Sequence, residues 1–542
     1  MSGETLLAGI DSLVTRRGTG GDGMPGDARA RRVAAMIAVA GGLLALLVAA
    51  ALYSRFSIDD WLRRDESIYL YSGQQFAHGV PVYDGIFDPK TPLASMFAGA
   101  AVAIARVVGG DEVHFVRAEF FVFACLTVAA VYVLALWLWG SVTGGIVSAI
   151  TFASFSGFAL DALGGPDAKT PGILFAAVSM ALLVRRRWFS GAFAGAVAFL
   201  VWQPLAVYVL VAGLAALATA VPGERLRRLG RVAAGAAIPI AAVTLYFWIA
   251  GALHQLVETA ITFPLTGVER GPESLHDHFD VIADVVGSDY GHTQLLFWGG
   301  LVALPLLAAW RLARDRAGLR NALTDPVMSV VMASLIPLAA FSVHDFQGYP
   351  DLYQALPYAA IGVGGVAAAL AGAGRFVGRV ATAGALVCAA ALAALSWHWY
   401  SVPRGRDTAL VGERANAVEI ERLLDPGETL YALGDPTILV LTGRRNPSRF
   451  IYLGSGVAAW VEHHTPGGLE GWGRSIVASD PAVITLNDWN GRLRAPLGRL
   501  LRRTYDAGFV GKLRVFVKPS VRARAASRGV KITAAPAPEF SG

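Results

Sequence analysis

The chain has 542 residues, of which 55% are hydrophobic and only 16% charged, against about 25% charged in an ordinary globular protein. A water-facing fold cannot hide that much apolar side chain, so the composition excludes a string of soluble domains and points to a bilayer. The net charge of +6 sits largely in short arginine clusters between apolar runs, a membrane-orientation pattern rather than a nucleic-acid footprint, and the two cysteines, Cys125 and Cys388, lie inside apolar runs, which excludes a disulfide framework.

Residues 1–32 are polar and carry Arg16, Arg17, Arg29, Arg31 and Arg32. The apolar run 33–53 that follows is long enough to span, which predicts an uncleaved first span with a basic cytoplasmic tail before it. Further runs fall at 115–139, 141–160, 171–184, 190–203, 204–221, 232–251, 295–310, 326–343, 353–372 and 380–397. The uncharged stretch 188–221 lies between Arg185–Arg187 and the cluster Arg225, Arg227, Arg228 and Arg231. Both clusters should be cytoplasmic, so the chain is expected to cross twice there and turn near Gln203-Pro204. The run 93–105 is too short to cross. Laid along the outer surface, it lets all later arginine clusters (185–187, 225–231, 311–320 and 375–379) fall inside.

The expectation is therefore an α-helical polytopic membrane protein of about eleven spans over 33–397, located in the plasma membrane with its N-terminus in the cytoplasm. The outer face receives a long loop 54–114, a short loop 161–170, a loop 252–294 and a short loop 344–352. From 398 to 525 the chain reads as an extracytoplasmic α/β domain. Helices are expected over 407–424, 469–478 and 492–503, and strands over 429–433, 437–441, 450–453, 482–486 and 513–517. Residues 526–542, with their Ala-Pro-Ala-Pro, read as disordered.

Carboxylates concentrate in the outer loops: Asp59, Asp60, Asp65, Glu66, Asp84 and Asp88 in the first alone. Wet loops carry acids, which accounts for most of them. Asp65 and Glu66 differ because they open a rather apolar, helix-like segment, Arg64 to Gly73, expected to lie at the membrane boundary. Partial burial there raises a carboxyl pKa and makes a usable base. Lys90, in Asp88-Pro-Lys-Thr-Pro-Leu93, precedes the non-spanning segment. It reads either as a snorkelling interfacial lysine or as a cation for a lipid phosphate.

The ordered string Asp65-Glu66, Tyr69, Gly73, His78-Gly-Val-Pro-Val-Tyr83-Asp84 and Lys90-Thr-Pro-Leu93 resembles the first outer loop of GT-C glycosyltransferases. The nearest groups are the protein O-mannosyltransferase and aminoarabinose-transferase enzymes and the dolichyl-phosphate-mannose mannosyltransferases. The tail segments Leu433–Pro436 and Thr442–Pro447 look similar to the mannosyltransferase-like members. The resemblance implies an inverting transfer of a sugar from a polyprenyl-phosphate carrier to an acceptor hydroxyl on the outer face. Mannose comes first among the implied sugars, then arabinose or another pentose; the acceptor is a lipoglycan, polysaccharide or protein. By motif, Asp65 resembles the base, with Glu66 beside it, and Lys90 and Arg117 the cations on the carrier phosphate. Tyr69, Tyr83, Asp167, Tyr353 and Gln354 fall where substrate-binding residues are expected, although the histidine usual beside the late tyrosine is absent. A divalent metal is left open, since Asp-Glu pairs serve both metal-using and metal-free enzymes of this kind.

Three other motifs compete for attention. Glu462-His463-His464 and His276-Asp277-His278 have metal-ligand residue types but fit solvated segments, and Gly454-Ser455-Gly456 lacks the rest of a dinucleotide fingerprint and reads as a turn. Two readings from other classes also remain, a secondary transporter and a non-catalytic partner in cell-envelope assembly. The spans hold almost no acids and show no internal repeat, which disfavours the transporter.

Overall fold

The computed structural model describes residues 25–62, 64–221, 223–267, 275–314, 323–346, 348–401, 408–486 and 494–534. Most of the basic tail, part of the 311–320 arginine cluster and residues 535–542 lie outside these. Among the described residues six helices are long and apolar enough to cross a membrane unaided: Arg32–Tyr53, Glu112–Trp139, Arg225–Ile249, His276–Arg314, Val327–His344 and Phe376–Tyr400. Val142–Ala153 and Ser156–Ala162 form a further pair bent by 71°. Shorter apolar helices occupy Leu93–Val108, Lys169–Val184, Trp188–Val201, Gln203–Ala218 and Leu356–Ala371. The break after Val201 has a local cause. Trp202 is extended (φ −154°, ψ 124°), and the chain restarts as a 3₁₀ turn with Pro204 at its start, where a missing N–H costs nothing.

One helix measures the molecule. Glu112–Trp139 has 28 residues, which makes it about 42 Å long at 1.5 Å per residue. Near its start Arg117 meets Glu66. At its end Arg185 stacks on Trp137 and Arg311 on Trp139, each at 5.8 Å. The arginine clusters and the first-loop acids therefore occupy opposite ends of the bundle. Helices approach closely where side chains are small: a Cβ on Gly300 would sit 2.1 Å from the Ala359 carbonyl oxygen, a crossing typical of membrane bundles.

Several expectations are corrected. Much of 252–294 is helical rather than loop, with helices Leu253–Val257 and Leu275–Tyr290. The segment 437–441 is not a strand but a helix, Thr437–Thr442. A short apolar run has no period by which to separate the two, and Asp435 decides it by accepting from the Thr437 N–H at 2.8 Å. Residues 450–453 are irregular and touch the preceding strand through Gly434 N–H to Ile451 O, 2.7 Å. The sheet runs β1 (Leu430–Leu433), β2 (Val483–Leu486), β4 (Leu513–Val517), β3 (Asp506–Val510), β5 (Ile532–Ala534). Only the β1–β2 pair is parallel. β5 lies in the stretch expected to be disordered from 526, and its ladder with β3 supplies the order that composition alone did not suggest.

This C-terminal unit is not a loosely tethered module. Its core and that of the first loop are one cluster, in which Leu62, Ile68, Leu70, Ile86 and Val102 pack with Leu410, Ile420, Leu439 and Val517. Hydrogen bonds stitch the seam: Leu62 N–H to Glu413 (2.9 Å), Ser67 Oγ to Asp435 (2.9 Å), Asn446 N–H to Tyr71 Oη (2.8 Å) and Phe87 N–H to Arg449 O (2.8 Å). Helix Leu93–Val108 lies against helix Arg64–Ala77, so close that a Cβ on Gly73 would meet Gly99 N at 2.7 Å. It buries Ala94, Ala98, Val102 and Ala105 and leaves Ile104, Val107 and Val108 exposed.

Candidate active site

Asp65 and Glu66 open helix Arg64–Ala77, where the dipole favours carboxylates. Neighbouring helical residues point about 100° apart, and this divides their roles. Asp65 faces a cavity of about 550 Å³ that Tyr69, Asp88, Lys90, Lys169, Trp202 and Asp351 help to line. Glu66 turns into the protein, 3% exposed. There a Cβ on Gly164 would meet its Oε1 at 2.9 Å, and its Oε2 lies 3.6 Å from Arg117.

Lys90 projects from a braced loop. Tyr83 Oη donates to its carbonyl at 2.8 Å, Gln203 Nε2 to the Pro89 carbonyl at 2.6 Å, and Thr91 Oγ1 to Phe199 O at 2.9 Å. Its ammonium stands 3.5 Å from Asp65 Oδ2 and 5.3 Å from the Tyr69 ring centre. Burial pulls this ammonium's pKa down, but Asp65, Tyr69, Asp88 and Asp167 outweigh it and hold it well above the usual lysine value. Lys90 is thus a permanent cation. Asp88 shows the reverse balance: burial, only partly offset by Lys90, raises its carboxyl to about 6. Burial likewise raises Asp167, against Lys169 and Lys90.

A second ion pair was not expected. Lys169 Nζ lies 2.7 Å from Asp351 Oδ1, with both side chains more than nine-tenths buried, and 5.4 Å from the Trp202 ring centre. A lysine opening an apolar helix was the available signal, since intramembrane charge is costly and tends to be functional. Tyr452 and Ser455 of the C-terminal unit also line the cavity; nothing in their local sequence announces it.

The expected site residues divide accordingly. Asp65, Tyr69 and Lys90 line the cavity together. Arg117 does not. Its guanidinium is fully buried and donates to the carbonyls of Ile58 (2.5 Å), Asp60 (2.9 Å) and Trp61 (3.0 Å). A guanidinium so engaged holds the loop ahead of Asp65 rather than a ligand. Tyr83 is a buried brace for Lys90, stacked on Phe247 at 5.5 Å. Asp167 accepts from the Lys169 N–H at 2.6 Å and so fixes the start of that helix. Tyr353 is buried with its hydroxyl 2.5 Å from Asp161, which Tyr349 also contacts, and Gln354 donates to Ser342 at 2.5 Å. His344 and Asp345, upstream of this tyrosine, reach the cavity instead.

The histidine motifs are occupied locally: His463 contacts the Ala459 carbonyl, His464 stacks on Trp460 at 3.7 Å, and His276 lies 3.6 Å from Asp280. Among the described residues no group of three or more His, Cys, Asp or Glu side chains is arranged to hold a metal ion, so they do not offer a divalent ion a ligand set.

No protein-family model and no curated protein matches the chain. Solved structures do. The crystal structure of ArnT from Cupriavidus metallidurans bound to undecaprenyl phosphate aligns with a TM-score of 0.57 at 14% identity, and the apo structure of the same protein with 0.57 at 15%. Each match covers 89% of this chain and 98% of the other. The chain has the ArnT fold. That is the architecture the first-loop motif implied.

Proposed function

We propose that the protein is a membrane glycosyltransferase that moves a sugar from a polyprenyl-phosphate carrier to an acceptor hydroxyl. The observation that carries this reading is the convergence of Asp65 and Lys90, 3.5 Å apart, in a cavity walled by helix ends of an ArnT-like fold. ArnT itself binds undecaprenyl phosphate. In the reading offered here a carrier of that class places its phosphate by Lys90, and Lys169, rather than Arg117, is the second cation. An alcohol is a poor nucleophile until its proton is drawn off, and Asp65 takes it as attack develops. The departing phosphate gains negative charge that Lys90 offsets in a partly desolvated site. Displacement at the anomeric carbon in one step inverts configuration. Donor phosphate also competes for Lys90, which loosens the ion pair that holds Asp65.

The sequence resemblance favours mannose over a pentose. The separation of the cavity from the arginine-rich end supports an N-terminus inside and a site outside, and counting the shorter apolar helices as crossings keeps the expected number at about eleven. The acceptor class stays as broad as lipoglycan, polysaccharide or protein. The test is transfer of radiolabelled sugar from polyprenyl-phosphate donor in washed membranes. Asp65→Asn should lower transfer by about 10²–10⁴-fold, the range a general base supplies, with expression and melting unchanged. Wild-type rates in that variant would remove Asp65 from the role. Counterflow uptake of a solute without transfer would favour a transporter instead.

A further inference from the structure

The Gly454-Ser455-Gly456 turn stands at the rim of the cavity in a backbone that ordinary sequences avoid. Ser455 has φ +52° and Gly456 φ +89°; the first is uncommon for a residue with a Cβ, and such strain concentrates where it holds a functional group in place. Gly454 is required for a different reason. A Cβ there would lie 2.3 Å from the Tyr452 hydroxyl oxygen. The turn therefore folds the Tyr452 side chain back over itself, and its hydroxyl stands 3.0 Å from Ser455 Oγ. Both residues line the same cavity as Asp65 and Lys90.

The mounting is rigid. Helix Val457–His464 follows at once, anchored by Val457 N–H to Gly454 O (3.0 Å) and Ala458 N–H to Leu453 O (3.2 Å). Its Trp460 packs edge-on to Phe263 at 5.4 Å and lies 6.3 Å from Phe87, itself a cavity residue. A glycine at 455 would adopt the same backbone without strain, so the serine is kept for its hydroxyl rather than for the turn.

We infer that the Tyr452–Ser455 hydroxyl pair is a binding element for the acceptor, reading a hydroxyl of a neutral sugar or polyol next to the one that Asp65 activates. This rests on the glycosyltransferase reading above. The chemistry selects the class: two neighbouring hydroxyls, each donor and acceptor, match vicinal hydroxyls and offer no charge to a phosphate. The architecture selects acceptor over donor. Trp202, Gln203, Pro204 and Phe341 on the cavity wall belong to the ends of apolar helices, from which a polyprenyl chain arrives, whereas Tyr452 and Ser455 belong to the polar C-terminal unit, on the side a water-borne or headgroup glycan approaches. The C-terminal unit thereby completes the site rather than merely docking beside it.

The test uses the full chain in washed membranes with labelled polyprenyl-phosphate-mannose as donor and the endogenous membrane acceptor. Release of sugar to water is followed alongside transfer. Tyr452→Phe and Ser455→Gly should each lower transfer about tenfold, as the loss of one good hydrogen bond to substrate does, while donor KM and release to water stay at wild-type values. Ser455→Gly also relieves the backbone, so its melting temperature should hold or rise, and lost transfer there cannot be ascribed to misfolding. Unchanged transfer in both variants, or a raised donor KM, overturns the assignment while leaving the glycosyltransferase reading in place. A wild-type protein that neither transfers nor releases sugar overturns both.

Discussion

Arg117→Met separates a structural arginine from a phosphate-binding one. Methionine keeps much of the stem volume but removes the charge that faces Glu66 and the donors to Ile58, Asp60 and Trp61. Breaking a buried ion pair from one side costs about 3–5 kcal/mol, because the remaining charge is stranded. Each of the three carbonyls left without a donor adds about 1 kcal/mol or more. The loss is thus a large fraction of the 5–15 kcal/mol on which a folded domain normally rests. Arg117→Lys should recover only part of it, since one ammonium cannot reproduce a planar fork that reaches three carbonyls. Tryptophan-fluorescence melting in detergent, read beside donor KM in membranes, is the assay. The structure predicts a sharply lowered melting temperature and poor yield for Arg117→Met. A normal melting temperature with a raised donor KM would refute the reasoning and return Arg117 to the phosphate.

Two further outcomes follow from the cavity. Lys169→Met should destabilise by about 3–5 kcal/mol, because it breaks a buried ion pair from one side and takes from the Asp351 carboxylate the ammonium 2.7 Å away. Adding Asp351→Leu should restore much of the melting temperature but not the transfer rate, and recovered transfer in the double variant would show that the pair is structural only. For Asp88 the folded-state pKa is raised to about 6 from 3.8, so the folded protein binds a proton that the unfolded chain has already lost. The contribution of Asp88 to stability is therefore greatest below about pH 4, falls as pH rises to about 6 and is then level, by roughly 3 kcal/mol in all. Melting curves across that window should show the decline in the wild type and a flatter profile in Asp88→Asn; an equal slope in both would assign the dependence to another group.

Composition and charge were enough to establish a membrane protein, because no packing can bury so much apolar chain in water, and arginine clusters report orientation without reference to contacts. The break at Gln203-Pro204 was legible for a local reason, the proline. So were Asp65 and Lys90, since their spacing within an ordered first-loop motif carries chemical meaning before the chain folds. What remained hidden depends on direction and distance. Asp65 and Glu66 are adjacent in the chain, yet only the placement of Gly164 and Arg117 shows that one carboxylate faces the cavity and the other is sealed within the wall. Arg117 has the charge of a phosphate ligand, and three carbonyls from residues 58–61 claim it instead. Residues 437–441 have a strand's composition but lie in a helix whose first N–H, that of Thr437, is taken up by Asp435. Lys169 meets Asp351 across 182 positions, and Tyr452 reaches the Asp65 cavity only because the C-terminal unit shares an apolar core with the first loop. Pairings of that kind are set by the packing of distant segments, which no local pattern encodes.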